Sequence, residues 1–271
     1  MKNKGIIGAV CGDIIGSAYE FNATKKMDFE LFTSESIFTD DTVMTCAVAE
    51  WLMDDPNHTH EELVKIIHRY GAEYPHRGYG GMFGRWLRNH WTEPYNSFGN
   101  GSAMRVSPCG YYAKSFDEAL QLAKISAEVT HNHPEGIIGA QTTAACIFLS
   151  RNNESHKIRE YLKQYSHYDM DRIKENWETI QRDHGFDETC QGSVPEAIFC
   201  ALKNMDRPNG YELTVREAVS LGGDADTQAA IAGGIAAAVC EVPEDILNEC
   251  LNRLETQLID VIERFNEICN Q

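Results

Sequence analysis

Basic side chains are scarce in this chain of 271 residues, which has 24 lysines and arginines but 41 aspartates and glutamates. A protein that grips nucleic acid needs clustered lysine and arginine to neutralise phosphates. The formal charge of −17 therefore argues against a nucleic-acid partner. Solubility is one explanation of this excess of acidic residues. The other explanation is that some of the carboxylates bind cations.

Long apolar runs are missing as well. The longest run of small apolar residues, from Ala229 to Cys240, is too short to span a bilayer, so we expect no membrane partner. The first residues imitate a signal peptide, but Asp13 interrupts their apolar stretch and argues against export. We expect a cytoplasmic protein that acts as a monomer.

The nine cysteines do not have the pattern of a disulfide framework or a zinc site, because their number is odd and no Cys-x-x-Cys motif occurs. Most of them lie inside apolar runs, which is typical of buried free thiols in a reducing compartment. A zinc site at His131 and His133 is disfavoured, since the Pro134 that follows fits the start of a helix better.

Alternating strand patterns and long polar linkers are also absent, whereas apolar residues recur at helical spacing along most of the chain. We predict one all-α domain over 1–271, with the polar stretch 151–192 as a surface insertion. Further helices are predicted at 60–72, 79–90, 154–165, 169–182, 244–252 and 254–268. Capping boxes predict helix starts at Ser115/Glu118, Ser193/Glu196 and Thr214/Glu217.

Three glycines, Gly8, Gly12 and Gly16, share one face of a predicted amino-terminal helix. Each costs a helix about 1 kcal/mol relative to alanine. Their regular spacing predicts that another backbone or a ligand approaches this face closely.

Two acidic motifs stand at predicted helix amino termini, "FTDDT" at 38–42 and "GGDADT" at 222–227. The first can be explained as a helix cap, because Thr39 is a good N-cap and acids favour the helix dipole. The second leads into a helix too small and apolar for the surface, and its nearest basic residue, Arg216, lies some distance upstream. Buried carboxylates need neutralisation, so a bound cation is the economical explanation.

The oxygen ligands of these motifs suit Mg²⁺, Mn²⁺ or Ca²⁺ rather than zinc. If both motifs converge with Glu20, five carboxylates meet and would balance about two divalent ions. A separate glycine-rich stretch, "FGNGSAMRV" at 98–106, is typical of an anion-binding loop whose backbone N–H groups cradle a phosphate. A plain tight turn is the alternative explanation for it.

Four motifs in order resemble the ADP-ribosylglycohydrolase family: "GxxxGDxxGSxYE" at 8–20, "FTDDT", "GNGSAMRV" and "GGDADT". The resemblance implies an all-α, compact orthogonal multi-helix bundle with a central metal cleft that holds two Mg²⁺ (or Mn²⁺). It implies catalytic roles for Glu20 and Asp41, with the choice of general base left open, and an orienting role behind the ligands for Asp13. The implied metal ligands are Thr39, Asp40, Asp41, Asp224, Asp226 and Thr227. The implied substrate-binding residues are Asn96, Ser97, Phe98, Gly99, Asn100, Gly101, Ser102 and His131.

The activity that the resemblance implies is hydrolysis of the glycosidic bond between ADP-ribose and an acceptor, with protein arginine as the leading acceptor. Serine-linked or small-molecule ADP-ribose conjugates stay open, because Glu73 is the only acid between Glu62 and Glu93, where some arginine-specific relatives place one. A non-catalytic ADP-ribose-binding or structural relative is a further alternative. A helical phosphohydrolase is disfavoured, since the chain has no His-Asp dipeptide.

Overall fold

The computed structural model describes residues 4–269, in which α-helices are joined by turns and irregular segments. Within this range no β-strand forms, and an isolated bridge between Gly99 and Thr189 is the one β contact, so the predicted all-α fold is confirmed. The helices are α1 (Ile7–Ser17), α2 (Asp40–Asp54), α3 (His60–Glu73), α4 (Gly81–Arg88), α5 (Gly101–Met104), α6 (Ser107–Tyr112), α7 (Phe116–Glu128), α8 (Pro134–Arg151), α9 (Ile158–Tyr165), α10 (Met170–Glu175), α11 (Trp177–Asp183), α12 (Cys190–Asn204), α13 (Gly210–Ser220), α14 (Ala225–Ala236), α15 (Glu244–Leu251) and α16 (Thr256–Cys269).

Helix α14 lies at the centre of the fold, and all 12 of its residues are buried. It packs against α1, α8, α12 and α13, which surround it on several sides. A helix with neighbours on so many sides must be apolar all round, and its sequence of Ala, Ile and Gly meets that requirement. The prediction that this helix does not lie on the surface is confirmed.

Helix α1 crosses α14 at very short range along its three glycines. A Cβ atom placed on Gly12 would lie 2.1 Å from the carbonyl oxygen of Ala229, and one on Gly16 would lie 2.4 Å from that of Ala225. On Gly8 it would lie 2.2 Å from the Cβ of Ala237. The predicted close approach of another backbone is therefore confirmed, and it brings the carboxyl-terminal end of α1 next to the start of α14.

Two of the three predicted capping boxes are wrong. Ser115 caps α7 as predicted, but α12 begins after Thr189, whose hydroxyl accepts a hydrogen bond from Gly192. Helix α13 begins after Asn209, which adopts a left-handed conformation with φ of 59°. Ser193 and Thr214 therefore lie inside their helices, where each hydroxyl donates to a carbonyl four residues earlier. Both helices begin earlier than the capping boxes predict, because a longer helix buries more apolar surface.

The stretch 151–192 contains α9, α10 and α11, and the predicted helix over 169–182 is broken at Asn176. Its buried side chains join the hydrophobic core; among them are Ile158, Leu162, Met170 and Trp177. Its last residues, 185–189, reach the start of α14, where the carbonyl oxygen of Gly185 would lie 2.4 Å from a Cβ on Gly223. The stretch is thus packed onto the body of the protein.

The cysteines are all free, and most are fully buried, as their apolar surroundings predict. Pro134 is the first residue of α8, and the His133 ring caps that helix by accepting a hydrogen bond from the backbone N–H of Glu135. The predicted helix start after the histidines is thereby confirmed. Among the described residues, no helix has the length and apolarity that crossing a membrane requires.

Candidate metal centre and binding cavity

Asp13 on α1 anchors the amino terminus of α2. Its carboxylate is fully buried and accepts hydrogen bonds from the backbone N–H groups of Thr39 and Thr42, at 3.0 and 3.2 Å. It also accepts bonds from both threonine hydroxyls, that of Thr39 at 2.7 Å. Burial raises the pKa of Asp13 to about 6 even though these four donors lower it. The carboxylate therefore holds in place the helix end that carries the next two acids.

Asp41, in the first turn of α2, is oriented from two sides. Its backbone N–H donates to the capping hydroxyl of Thr39, and its Oδ2 accepts a hydrogen bond of 3.2 Å from the hydroxyl of Thr227 on α14. Its other oxygen, Oδ1, is buried and has no hydrogen-bond partner within residues 4–269. A buried carboxylate oxygen without a partner is costly, so a ligand for it is expected at this point.

The start of α14 is shaped by two glycines in left-handed conformations, Gly222 and Gly223, with φ of 71° and 77°. They turn the chain so that Asp224 precedes the helix and accepts a hydrogen bond of 2.7 Å from the side-chain amide of Asn100. Asp226 follows in the first helical turn and accepts a bond of 3.0 Å from the N–H of Thr227. Glycine adopts these left-handed angles readily because it has no Cβ.

Carboxylate oxygens from separate parts of the chain converge at this point. One oxygen each from Asp13, Asp41 and Asp226 lies within 4.8 Å of the other two, and the same holds for Glu20, Asp224 and Asp226. Asp226 belongs to both groups. The charges that act most strongly on Asp41 and Asp226 are those of other carboxylates, so repulsion at this centre is not relieved by lysine or arginine.

Burial and this mutual repulsion raise the pKa values of the converging acids. Burial, then Asp224, Glu188 and Asp13, raise the pKa of Glu20 to about 7. For Asp41 and Asp226 burial is again the largest cause, and their pKa values lie well above the usual range. A set of oxygen donors with excess negative charge and an unpartnered oxygen fits a hard divalent cation such as Mg²⁺ or Mn²⁺.

These shifts predict that the metal-free protein loses stability as the pH rises from about 4 to about 7. The pKa of Asp13 is about 6 in the folded state against 3.8 ordinarily, so over this range the unfolded chain releases a proton that the folded protein retains. This carboxyl alone corresponds to about 3 kcal/mol of lost stability at neutral pH. Urea unfolding in EDTA at about pH 4 and about pH 7 measures the loss. Stabilisation by added Mg²⁺ should grow over the same interval, and a stabilisation that did not change with pH would contradict this account.

Apart from Asp13, the converging acids form the floor of a cavity of about 300 Å³. Its walls come from the glycine-rich stretch 78–83, the loop 95–101, and residues 188–189. Most of the side chains expected to form the site line this cavity: Glu20, Asp40, Asp41, Ser97, Phe98, Gly99, Asn100, Gly101, His131, Asp224, Asp226 and Thr227. The fold thus brings together residues that are more than 200 positions apart in sequence.

Four of the expected site residues do not line the cavity. Asp13 and Thr39 lie behind its floor and bond to each other. Ser102 turns away and donates its hydroxyl proton to the carbonyl of Gly136 at 2.7 Å. Asn96 is exposed, in a left-handed conformation with φ of 56°, and its N–H bonds the side chain of Asn132.

The glycine-rich loop is tied to the opposite wall rather than left open. The N–H of Asn100 donates to the carbonyl of Glu188 at 2.7 Å, and the N–H of Gly99 donates to the hydroxyl of Ser97 at 3.1 Å. These two N–H groups therefore have partners within the protein, in contrast to the expected cradle of successive free donors. Phe98 is exposed beside the loop, with its ring 5.3 Å from that of His133.

Sequence reasoning missed two polar residues of the cavity wall. Arg105 is only 1% exposed and lines the cavity, although an arginine in a buried site is uncommon. Arg105 is part of the motif "GNGSAMRV", and this membership is the sequence signal that could have identified it as a site residue. Glu188 also lines the cavity, but it belongs to the polar stretch 151–192, where no motif distinguishes it.

Comparison with known proteins agrees with this architecture. A sequence model of the ADP-ribosylglycohydrolase family matches residues 4–271. The mouse (Mus musculus) protein named ADP-ribosylhydrolase ARH3 is 28% identical over 329 aligned positions, which cover 94% of this chain and 88% of the mouse protein. An uncharacterised protein of Archaeoglobus fulgidus is 30% identical over 251 positions, which cover 83% of this chain and 80% of that protein.

A solved structure described as an ADP-ribosylglycohydrolase-related protein complex has the same fold. It superposes with a TM-score of 0.71 and 19% sequence identity, and the match covers 97% of this chain and 96% of the solved one. The family match extends over nearly the whole chain, including every acid of the cavity floor. The chain belongs to the ADP-ribosylglycohydrolase family.

Proposed function

We propose that the protein is a metal-dependent ADP-ribosyl hydrolase, which cleaves the glycosidic bond between ADP-ribose and an acceptor and releases ADP-ribose. The observation that carries the proposal is the convergence of buried carboxylates, without basic partners, on the floor of a cavity. The family to which the chain belongs supports the ADP-ribosyl part of the proposal.

In this proposal a pair of divalent cations, Mg²⁺ or Mn²⁺, is held by the acids of the cavity floor. Asp41 and Asp226 contribute to one group of converging oxygens, and Asp224 joins Asp226 in the other group, with Glu20. The proposed ligands also include Asp40 and the hydroxyls of Thr39 and Thr227. Bound cations would supply Lewis-acid chemistry, which lowers the pKa of a coordinated water and balances charge near the ribose.

Glu20 is the proposed general base. It lies in the irregular segment between α1 and α2, is half-buried, and lines the cavity beside Asp224 and Asp226. A carboxylate whose pKa lies near the working pH can both accept and return a proton during hydrolysis. Asp41 is the alternative base, but its position on the deeper side of the floor, hydrogen-bonded to Thr227, suits a metal ligand better.

The loop 97–101 and His131 are proposed to bind the diphosphate, with Phe98 available to stack on the adenine ring. Asn100 supports this arrangement because its side-chain amide donates to Asp224 at 2.7 Å and to the Ser193 hydroxyl at 3.1 Å from a single nitrogen. One residue thus joins the loop to the acidic floor. A shift of the loop would therefore be transmitted to the ligands of the cations.

Protein arginine is the proposed acceptor, as the motif resemblance implies. A guanidinium leaving group needs an acid near the cavity, and the exposed carboxylate of Glu188 on the wall offers one. The proposed acceptor rests on this carboxylate and on the motif resemblance. Replacement of Glu188 by glutamine should therefore weaken turnover of an arginine conjugate more than that of a serine conjugate.

A turnover assay tests the proposal. The protein in Mg²⁺ or Mn²⁺ is incubated with arginine-linked, serine-linked and O-acetyl-linked ADP-ribose, and the products are separated by chromatography. We expect free ADP-ribose from at least the arginine conjugate, and loss of its release in excess EDTA. Release of AMP would indicate a phosphohydrolase instead. Tight binding of ADP-ribose without turnover of any conjugate would indicate a non-catalytic relative.

A further inference from the structure

Arg105, which follows α5, is buried next to the cavity, and no carboxylate of the described residues pairs with it. One of its terminal nitrogens, Nη2, donates to the carbonyl of Ser126 at 2.7 Å and to the hydroxyl of Thr130 at 2.9 Å. Because an Nη2 group carries two protons, both are used by these two bonds. The guanidinium therefore has a defined orientation, and it presents a donor to Thr130.

Thr130 connects this arginine to His131. Its side chain is fully buried, and its Oγ1 lies 2.7 Å from Nδ1 of the His131 ring. In the described residues, these are the two hydrogen-bond partners of the hydroxyl. An arginine never accepts a hydrogen bond, so the single hydroxyl proton can be used only toward Nδ1 of His131.

The direction of these bonds selects one form of the histidine ring. If Nδ1 carried the ring proton, Thr130 would accept from two donors, and its own buried proton would lack an acceptor, at a cost of about 1–3 kcal/mol. If instead Thr130 donates to Nδ1, the hydroxyl proton and both Nη2 protons have acceptors. A neutral ring then carries its proton on Nε2. Burial, followed by the nearby charge of Arg105, lowers the pKa of His131 well below its usual value, which keeps the ring neutral.

Nε2 lies beside the glycine-rich loop. A Cβ atom on Gly101 would lie 3.1 Å from it, and one on Gly99 would lie 3.6 Å away. Nε2 has no hydrogen-bond partner among residues 4–269, and the ring lines the cavity. The N–H groups of Gly99 and Asn100 are already bonded within the protein, whereas Nε2–H is a donor that this side of the loop can offer to a ligand.

We infer that Arg105 and Thr130 are positioning residues that fix His131 in its Nε2–H form, and that this N–H donates to a phosphate oxygen in the cavity. The identity of that phosphate, as part of ADP-ribose, rests on the proposed function. The relay itself does not, because it is built into the protein without ligand. A neutral donor also suits a site near the acidic floor, since a histidinium there would be drawn to the carboxylates rather than to the phosphate.

The form of the ring is measured directly by NMR of the ¹⁵N-labelled full chain without ligand, with the His131 signals identified by their loss in His131→Gln. We expect a protonated Nε2 and an unprotonated Nδ1 in the wild-type protein. Thr130→Val keeps the shape of the side chain but removes the hydroxyl, and should give a substantial population of the Nδ1–H form. Thr130→Ser restores the hydroxyl and should restore the wild-type pattern.

Binding of ADP-ribose in Mg²⁺, measured by calorimetry, gives a second test. Loss of one hydrogen bond to a charged phosphate should raise the Kd of Thr130→Val about tenfold, whereas Thr130→Ser should bind like the wild-type protein. The relay is wrong if wild-type His131 carries its proton on Nδ1, a measurement that needs no variant to fold. The donor role is wrong if Thr130→Val changes the ring form but not the Kd. Failure of the wild-type protein to bind ADP-ribose would count against the proposed function and leave the relay to be judged by NMR alone.

Discussion

Replacement of Asp226 by asparagine should abolish turnover while the protein stays folded. Asp226 contributes to both groups of converging carboxylates, so one substitution removes a charge from each half of the centre. Asparagine keeps the shape of the side chain, but it replaces one carboxylate oxygen by an amide nitrogen, whose N–H groups repel cations. We expect a fall in kcat/KM of about 1000-fold or more, equivalent to about 4 kcal/mol of activation free energy.

The same substitution should make the metal-free protein more stable. Burial raises the pKa of Asp226 most, and repulsion by Asp224, Asp41 and Glu20 raises it further; the neutral amide removes this repulsion. Mg²⁺ should therefore stabilise Asp226→Asn far less than it stabilises the wild-type protein. This combination, higher stability without metal and lower affinity for it, separates a metal ligand from a residue that merely supports the fold. Asp41→Asn should behave in the same way.

Asp245→Asn is the matched control. Asp245 is the second residue of α15, the position that Asp226 occupies in α14, but it is exposed on the surface. The control should retain wild-type kcat/KM and the wild-type response to Mg²⁺, both measured by turnover and by thermal unfolding. Near-normal turnover by Asp226→Asn or Asp41→Asn would show that the metal centre has been assigned to the wrong residues.

A single methyl group on Gly12 should destabilise the fold strongly. In an ordinary helix interior, Gly→Ala stabilises by about 1 kcal/mol. Here the added Cβ would lie 2.1 Å from the Ala229 carbonyl oxygen and 2.9 Å from the backbone nitrogen of Ala230. Both are backbone atoms, which cannot move aside by a change of rotamer, so α1 and α14 must separate. We expect a net loss of about 3 kcal/mol or more in the free energy of unfolding.

Urea denaturation of Gly12→Ala measures this effect, and Gly185→Ala is its control. A Cβ on Gly185 would meet nothing within 4 Å, and its φ is not positive, so the control should be neutral or slightly stabilising. Because α1 carries Asp13 and α14 carries Asp226, Gly12→Ala should also weaken the response to Mg²⁺. If Gly12→Ala were as stable as the wild-type protein, the two helices could not cross as closely as described.

Local sequence signals predicted the helical parts of the centre well. The hydroxyl of Thr39 caps α2, the glycines of α1 face a neighbouring backbone, and the small residues of α14 are buried on every side. Each of these features depends on the immediate chemistry of a residue: a hydroxyl that accepts from a free N–H, or a missing side chain. Such chemistry is visible in a short stretch of sequence.

Other features could not be predicted from a short stretch. Ser193 and Thr214 have the spacing of capping boxes, yet Thr189 and Asn209 begin the two helices because the extra turn packs against the core. Ser102 belongs to the loop motif, but the carbonyl of Gly136, on a different helix, takes its hydroxyl. In each case a contact with a part of the chain distant in sequence decides between alternatives that the local sequence leaves open.

The amino-acid sequence by itself determined the kinds of groups available to this protein: hard oxygen ligands at two helix starts, a glycine-rich loop between them, and helices small enough to pack closely. Only the tertiary structure decided which of these groups meet. It placed Asp13 behind the cavity floor, tied the loop to Glu188, and aligned Arg105, Thr130 and His131 so that one ring nitrogen faces the cavity. The physical reason is that a side chain's type is a local property. The direction of its hydrogen bonds and the charges around it depend on atoms that only long-range packing brings within reach.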